Sequence, residues 1–412
     1  MRLFLHQLIS YVNKREIFFI DPFMMDAMHA PFNAAMLQVI AQLYPKYRLT
    51  VYTHSSHYRY LQGYGDIPAQ VHHQPIWVLP FRTGNKFWWL CKLLVELCVI
   101  TRLLIRARRR QTALVYFAFL SPIGQYLVSF YSRYVFRKQH LLVQLHGLDI
   151  LTPAPHQKKI DRIYAWFIKK AFAFRCTHKR YLVMEKSAMK FLLHKGYLSS
   201  DTISYAPHPY HFVKQQPVES RPSHPLVFAH LGIARLSKQS HLFFKLAAAF
   251  SEDISQGRVI FRLVGQVLPE MAPYLNDFVE RAHTTDMLSP ADYREALSTA
   301  HYAIFCYDVD GYELTSSGAV MDAIAARIPM LAIQNSLFLQ LFNQSKEPPG
   351  ILYPSYEDLQ EGLKKLIAQH QDIYPRFLPA FDDLQHYYSI DHVVAYTKEA
   401  IAGWEDVHRN DC

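Results

Sequence analysis

The 412-residue sequence has few cysteines, few glycines and no long apolar run free of charge. Its five cysteines (Cys91, Cys98, Cys176, Cys306, Cys412) are scattered and form no CxxC pair. That argues against a secreted disulfide scaffold and a thiolate zinc site, and fits a reducing cytoplasm. With 14 glycines and no short repeat, the chain is neither collagenous nor low-complexity. The best spanning candidate, Phe87 to Ile105, contains Lys92, Glu96 and Arg102. Charges there are costly in lipid, so no transmembrane helix is expected. The apolar run near Met1 is broken by His6 and Gln7, and no small-residue cleavage site follows. No signal peptide is expected.

What is present is a globular composition, half apolar and 19% charged. Such a length suggests two domains of about 200 residues each. Charge is divided unevenly. Residues 1–210 carry 28 Lys+Arg against 9 Asp+Glu, a net +19, and residues 211–412 carry 16 against 25, a net −9. Opposite signs point to two domains with different partners, the first facing an anionic surface.

Strand-like and helix-like segments alternate throughout. EIFFIDPF, YRLTVYT and LLVQL read as buried strands, and Lys86 to Arg110 reads as a long helix. Pro207, Pro209, Pro217, Pro222 and Pro225 then interrupt the apolar pattern where the charge changes sign. The alternation resumes with LVFAHL, VIFRLV, YAIFCY and MLAI, and with Tyr274 to Ala282 as a helix. The expected architecture is α/β, with two doubly wound parallel sheets facing across a cleft. We expect a basic domain over 1–210, a linker over 211–225, a second domain over 226–388 and a C-terminal helix over 389–412 that crosses back.

Open parallel sheets bind ligands outside the carboxyl ends of their strands. Gly232 follows the strand LVFAHL, and Arg235 and Lys238 lie three apart in the next turn. Two converging cations suit a diphosphate, Arg as a fork and Lys as a point charge. Gly265 ends VIFRLV. Ser316, Ser317 and Gly318 open a helix whose N-terminus favours phosphate, and Asp322 lies just over a turn inside to accept from a ribose diol. A serine cap on an ordinary helix is the plainer reading. Glu313 precedes this loop and offers a contact to sugar hydroxyls. Asp308-Val309-Asp310 has the form of a metal motif, but the cations already present make a metal unnecessary, so no metal site is expected. In the first half, strand-end position singles out His29 with Asn33, His146 with Asp149, and His208 from among 22 histidines.

These residues resemble the GT-B glycosyltransferases, closest to the retaining family 4-like group of bacterial polysaccharide and lipopolysaccharide enzymes. LVFAHLGIARLSK resembles that group's strand followed by G-x-x-R-x-x-K. The resemblance implies that Arg235 and Lys238 grip the donor diphosphate. GYELTSSGAVMDAIAARIP resembles its E-x7-E segment, with Asp322 in the second acidic position and Leu314 in the first, Glu313 being one residue off. Arg327 stands where the group usually has glycine. HGLD resembles its cleft histidine motif, which implies a catalytic place for His146, and HAPFN takes the place of its first loop.

The implied function is metal-independent transfer of a sugar, with retention, from a nucleotide-diphosphate sugar. The implied acceptor is a saccharide, one carried on a lipid. Aromatics at Phe87, Trp88 and Trp89 and arginines at 106 and 108–110 suit an anionic inner-membrane surface. We expect a cytoplasmic protein held peripherally there, without nucleic acid. Net positive charge also permits a nucleic-acid-binding protein, but there is no RNP-like or zinc-finger pattern and the second half is acidic. The same fold also admits a catalytically silent scaffold and a nucleotide-sugar epimerase.

Overall fold

The computed structural model describes residues 16–81, 85–152, 159–212, 224–281, 283–286, 288–307 and 314–402. The chain forms two compact units, residues 1–211 with 388–412 and residues 212–387. Most of the expected linker lies outside the described residues.

The first unit has a seven-stranded sheet in the order β3-β2-β1-β4-β5-β6-β7. The strands are β1 (Glu16–Ile20), β2 (Arg48–Thr53), β3 (Val71–Pro75), β4 (Leu114–Phe117), β5 (Leu141–Gln144), β6 (Lys179–Val183) and β7 (Ile203–Tyr205). All are parallel. The central strands EIFFI, LVYF and LLVQ are buried at every position. Helices cover both faces of such a sheet, so its strands are apolar throughout rather than alternating. Each buried Phe, Leu or Val there contributes about 1.5–3 kcal/mol. The helix Ile390–Ile401 completes this unit, with Val393, Ala400 and Ile401 in the core beside Val39 and Ile40. Arg180 binds its carboxyl end, donating to the carbonyls of Ala400 at 2.6 Å and Ala402 at 2.8 Å.

The second unit has a six-stranded sheet in the order β10-β9-β8-β11-β12-β13. Its strands are β8 (Leu226–Leu231), β9 (Val259–Val264), β10 (Val279–Glu280), β11 (Tyr302–Phe305), β12 (Met330–Ile333) and β13 (Gly350–Tyr353). These too are parallel. In both units strand order reverses beside the first strand, at β1/β4 and at β8/β11. Those are the switch points where a ligand crevice is expected.

The helix expected over Tyr274 to Ala282 is not formed. A 3₁₀ turn, Pro269–Tyr274, ends there, Asn276 Oδ1 accepts from the Phe278 N–H at 3.2 Å, and Val279 pairs with Phe261 in β10. The asparagine turns the backbone out of helix. No helix among the described residues is long and apolar enough to cross a membrane.

Candidate functional site

In the second unit the loop after β8 is shaped by two glycines. Gly232 has φ +78°, and its N–H donates to the Val264 carbonyl at 2.8 Å. Ala234 bridges to Val267, which ties this loop to the one after β9. Below it, Ser240 Oγ accepts from the Arg235 N–H at 3.0 Å and shares a 2.9 Å bond with His230 Nε2. Burial and the neighbouring Lys238 push His230 down to about 3, so this support is a neutral imidazole. The Leu236 N–H donates to Glu270 Oε1 at 2.9 Å.

Arg235 caps the start of the 3₁₀ turn Leu236–Lys238 and Lys238 ends it, so both belong to one loop. Burial, with Arg235 alongside, lowers Lys238 to about 8, against the raising effect of Asp322. Lys238 Nζ stands 5.8 Å from the Tyr307 ring centre. The Tyr307 hydroxyl shares a 2.9 Å bond with Ser317 Oγ. That chain of contacts links the loop after β8 to the helix after β11, across the switch point.

This helix, Gly318–Ala325, has Ser317 at its N-cap without a side-chain cap hydrogen bond. Ser317 Oγ is engaged with Tyr307 instead; the Val320 N–H donates to the Ser317 carbonyl at 3.1 Å, and the N–H groups of Gly318 and Ala319 are left for another acceptor. Gly318 is exposed, with nothing within 4 Å of where its Cβ would lie. Asp322 Oδ2 accepts from the Tyr293 hydroxyl at 2.8 Å. Ser316 is half-buried beside Ser317. Gly232, Gly265, Arg235, Lys238, Ser316, Ser317, Gly318 and Asp322 thus gather in one region of one unit. Glu313 and the Asp308-Val309-Asp310 run lie outside the described residues. Leu314 is buried. Arg327 has φ +52°, a left-handed conformation that favours glycine, and is held by Asp382 and by the Leu378 carbonyl.

In the first unit three strand-end histidines converge. The rings of His29 and His146 are 4.8 Å apart, and Phe32 lies 5.1 Å from His146 and 5.0 Å from His208. His146 Nε2–H donates to the Ala118 carbonyl at 2.9 Å. Burial, with His29 and His208 alongside, holds its pKa well below 6.5. His146 is therefore a neutral imidazole whose Nδ1 is an acceptor. Burial likewise lowers His208 to about 4 and lowers His29, against the raising effect of Asp21.

Asn33 is fully buried. Its amide donates to Asp21 Oδ2 at 2.7 Å and to His57 Nε2 at 2.9 Å. His57 Nδ1–H donates to the Asp26 carbonyl at 2.8 Å. Asp21 Oδ1 also accepts from the N–H groups of Phe23 and Met24 at 3.1 and 2.9 Å. Asn33 thus braces the loop that carries His29, which itself has φ +57°. Asp149 lies half-buried in the 3₁₀ turn Leu148–Leu151 after Gly147, and its carbonyl accepts from Thr152 Oγ1 at 2.6 Å. Asp21 follows β1 directly, so the strand-end rule could have found it. Tyr293 and His57 carry no such signal, because their partners are distant in sequence. Among the described residues no three His, Cys, Asp or Glu side chains group as metal ligands.

No protein-family model and no curated protein matches the sequence. Solved structures do. Anabaena HepE in complex with UDP and glucose is 12% identical, with a TM-score of 0.64 over 94% of this chain and 99% of that one. Sucrose-phosphate synthase from Thermosynechococcus elongatus is 11% identical, with a TM-score of 0.64 over 96% and 100%. WaaG, a glycosyltransferase involved in lipopolysaccharide biosynthesis, is 14% identical, with a TM-score of 0.58 over 94% and 100%. With two parallel sheets, each reversing order beside its first strand, and these full-length likenesses, the chain has the GT-B fold of glycosyltransferases.

Proposed function

We propose that the protein is a retaining, metal-independent glycosyltransferase that takes a sugar from a nucleotide-diphosphate sugar. The carrying observation is the meeting of Arg235, Lys238 and Asp322 with an uncapped helix N-terminus at the β8/β11 switch point. Two cations and a helix N-terminus stabilise charge that develops on a leaving diphosphate. They do so without a metal, and without a strong base on the protein. Asp322, oriented by Tyr293, accepts from the ribose hydroxyls. The uncharged His146 Nδ1 accepts from a sugar hydroxyl in the first unit. UDP and UDP-glucose bound in the HepE structures support a nucleotide sugar as the partner.

In this reading the acceptor is lipid-linked, and the basic first unit sits on the anionic inner leaflet of the plasma membrane. The net +19 of residues 1–210 supports it. The test is release of nucleoside diphosphate from UDP- and GDP-sugars, with chelator present and lipid extract as acceptor source. Transfer with an unchanged anomeric configuration, reduced about 100-fold or more in Arg235→Ala, is the expected result. Inversion in the product, a metal requirement, or no release from any nucleotide sugar would contradict it.

A further inference from the structure

The long helix Lys86–Arg110 has two different faces. Leu93, Ile100, Leu103, Leu104 and Ala107 are buried. On the outer side Leu94 is 53% exposed and Ile105 40%, with Cys98 and Arg102 between them. Positions 94, 98, 102, 105 and 109 recur at helical spacing and form one stripe. Beside it runs the helix Pro122–Tyr134, and the two enclose an open groove of about 800 Å³. That is within the roughly 300–1,000 Å³ of ligand clefts.

The groove's chemistry is specific. Leu94, Leu97 and Ile105 face Leu127 and Tyr131 across it. The two hydroxyls in its wall satisfy each other, Thr101 Oγ1 lying 3.2 Å from the Tyr131 hydroxyl, and Thr101 also donates to the Leu97 carbonyl at 2.8 Å. Arg102, Arg106 and Arg109 line it, and no acidic residue does. Arg106 lies over the Tyr52 ring at 5.6 Å, and Arg110 is taken by Glu16 at 3.0 Å. Arg102 and Arg109 meet no carboxylate among the described residues. An apolar trough with uncompensated guanidinium groups at its edge is complementary to an alkyl chain ending in a phosphate.

We propose that this groove binds one acyl chain of an anionic phospholipid, with the lipid phosphate on Arg102 and Arg109. The proposal extends the membrane part of the functional reading and is independent of the donor site. It also changes which side chains meet the bilayer. Trp88 donates from its indole to the Pro80 carbonyl at 2.7 Å, and Trp89 bonds Tyr164 and packs edge-on against Phe23. Those two are tied into the protein, Phe87 is 73% exposed, and the outer stripe adds to the aromatics expected at the surface.

The test is calorimetric titration of the full chain, without nucleotide, with dioctanoyl phosphatidylglycerol below its micelle concentration. Dioctanoyl phosphatidylcholine and inorganic phosphate are the comparison ligands. The anionic phosphatidylglycerol should bind more tightly than either. Arg102→Gln with Arg109→Gln should weaken it about thirtyfold. Cys98→Trp, which fills the groove, should abolish binding. If that variant does not fold, Leu94→Ser at an exposed position should weaken binding about tenfold. Arg235→Ala should bind the lipid like the wild type. Equal affinity for the two lipids, undiminished binding by the groove variants, or a wild-type dimer that Cys98→Trp dissociates would each overturn the proposal. Loss of nucleotide binding with lipid binding intact would instead count against the donor reading alone.

Discussion

A β-carbon on Gly265 would overlap the carbonyl oxygen of Gly232. Two strand ends are pressed together there, with φ +152° at Gly265 and +78° at Gly232. Neither alanine fits. Gly265→Ala should cost about 2–3 kcal/mol or more, because backbone rather than a flexible side chain must move. Gly232→Ala would put its Cβ 3.4 Å from Lys238 Nζ, in a backbone conformation strained for alanine. Denaturant unfolding and nucleotide titration of both check this. Full stability and full nucleotide affinity in Gly265→Ala would contradict the geometry.

Lys238 gives the donor site a pH dependence. Its ammonium is held at about 8 in the free protein, and a bound diphosphate stabilises the charged form and raises that value. Affinity for nucleoside diphosphate should be full below pH 8. It should then fall about tenfold per unit above it until the bound-state value is reached. Lys238→Arg should keep its affinity to higher pH. Identical pH profiles for the two proteins would remove Lys238 from the site.

The hydrogen bond from Tyr293 to Asp322 fixes the carboxylate that we assign to the ribose. Asp322→Ala should weaken nucleoside diphosphate binding by about tenfold or more, the value of a charge-assisted hydrogen bond. Tyr293→Phe leaves the carboxylate and loses only its orientation, so a smaller loss of about fivefold is expected. Inorganic pyrophosphate has no ribose, and its binding should be unmoved by Tyr293→Phe, which keeps the Asp322 charge beside Lys238.

Buried Glu96 should make the first unit sensitive to pH. Its Oε1 accepts from the Ser121 N–H at 2.8 Å, and burial raises its pKa from 4.5 to about 7. The folded value exceeds the unfolded one. The contribution is therefore full below about pH 4.5 and is lost as pH rises to about 7. The loss amounts to about 3 kcal/mol. Glu96→Gln has no carboxyl to ionise, so its stability relative to wild type should rise by that amount over the same window. Parallel unfolding curves would contradict this.

Much of this architecture was legible from local pattern. LVFAHL and MLAI are strands with the expected ends, and Lys86–Arg110 is the expected helix, because buried parallel strands and long helices carry strong apolar signals. Two of the edge strands, β3 and β10, were not legible. Val71–Pro75 is VHHQP, half-exposed and without an apolar pattern, and Val279–Glu280 is two residues long. In the candidate site, residues at strand ends could be read directly, Gly232 and His146 among them. Residues that act by bracing could not. Tyr293 reaches Asp322 across 29 positions, and His57 reaches Asn33 across 24. Asn33 itself, picked out by position, proved to be one of these braces.

The functional reading stands or falls with a donor site built on the loop after β8. The deciding experiment is the thermal midpoint of the wild type and of Arg235→Ala, with UDP, GDP and their sugars, in chelator. A ligand that binds only the folded state raises the midpoint by mass action. A shift with one nucleotide class in the wild type, greatly reduced in Arg235→Ala, is the expected outcome. A shift of equal size in the variant, or none with any nucleotide, would contradict the assignment.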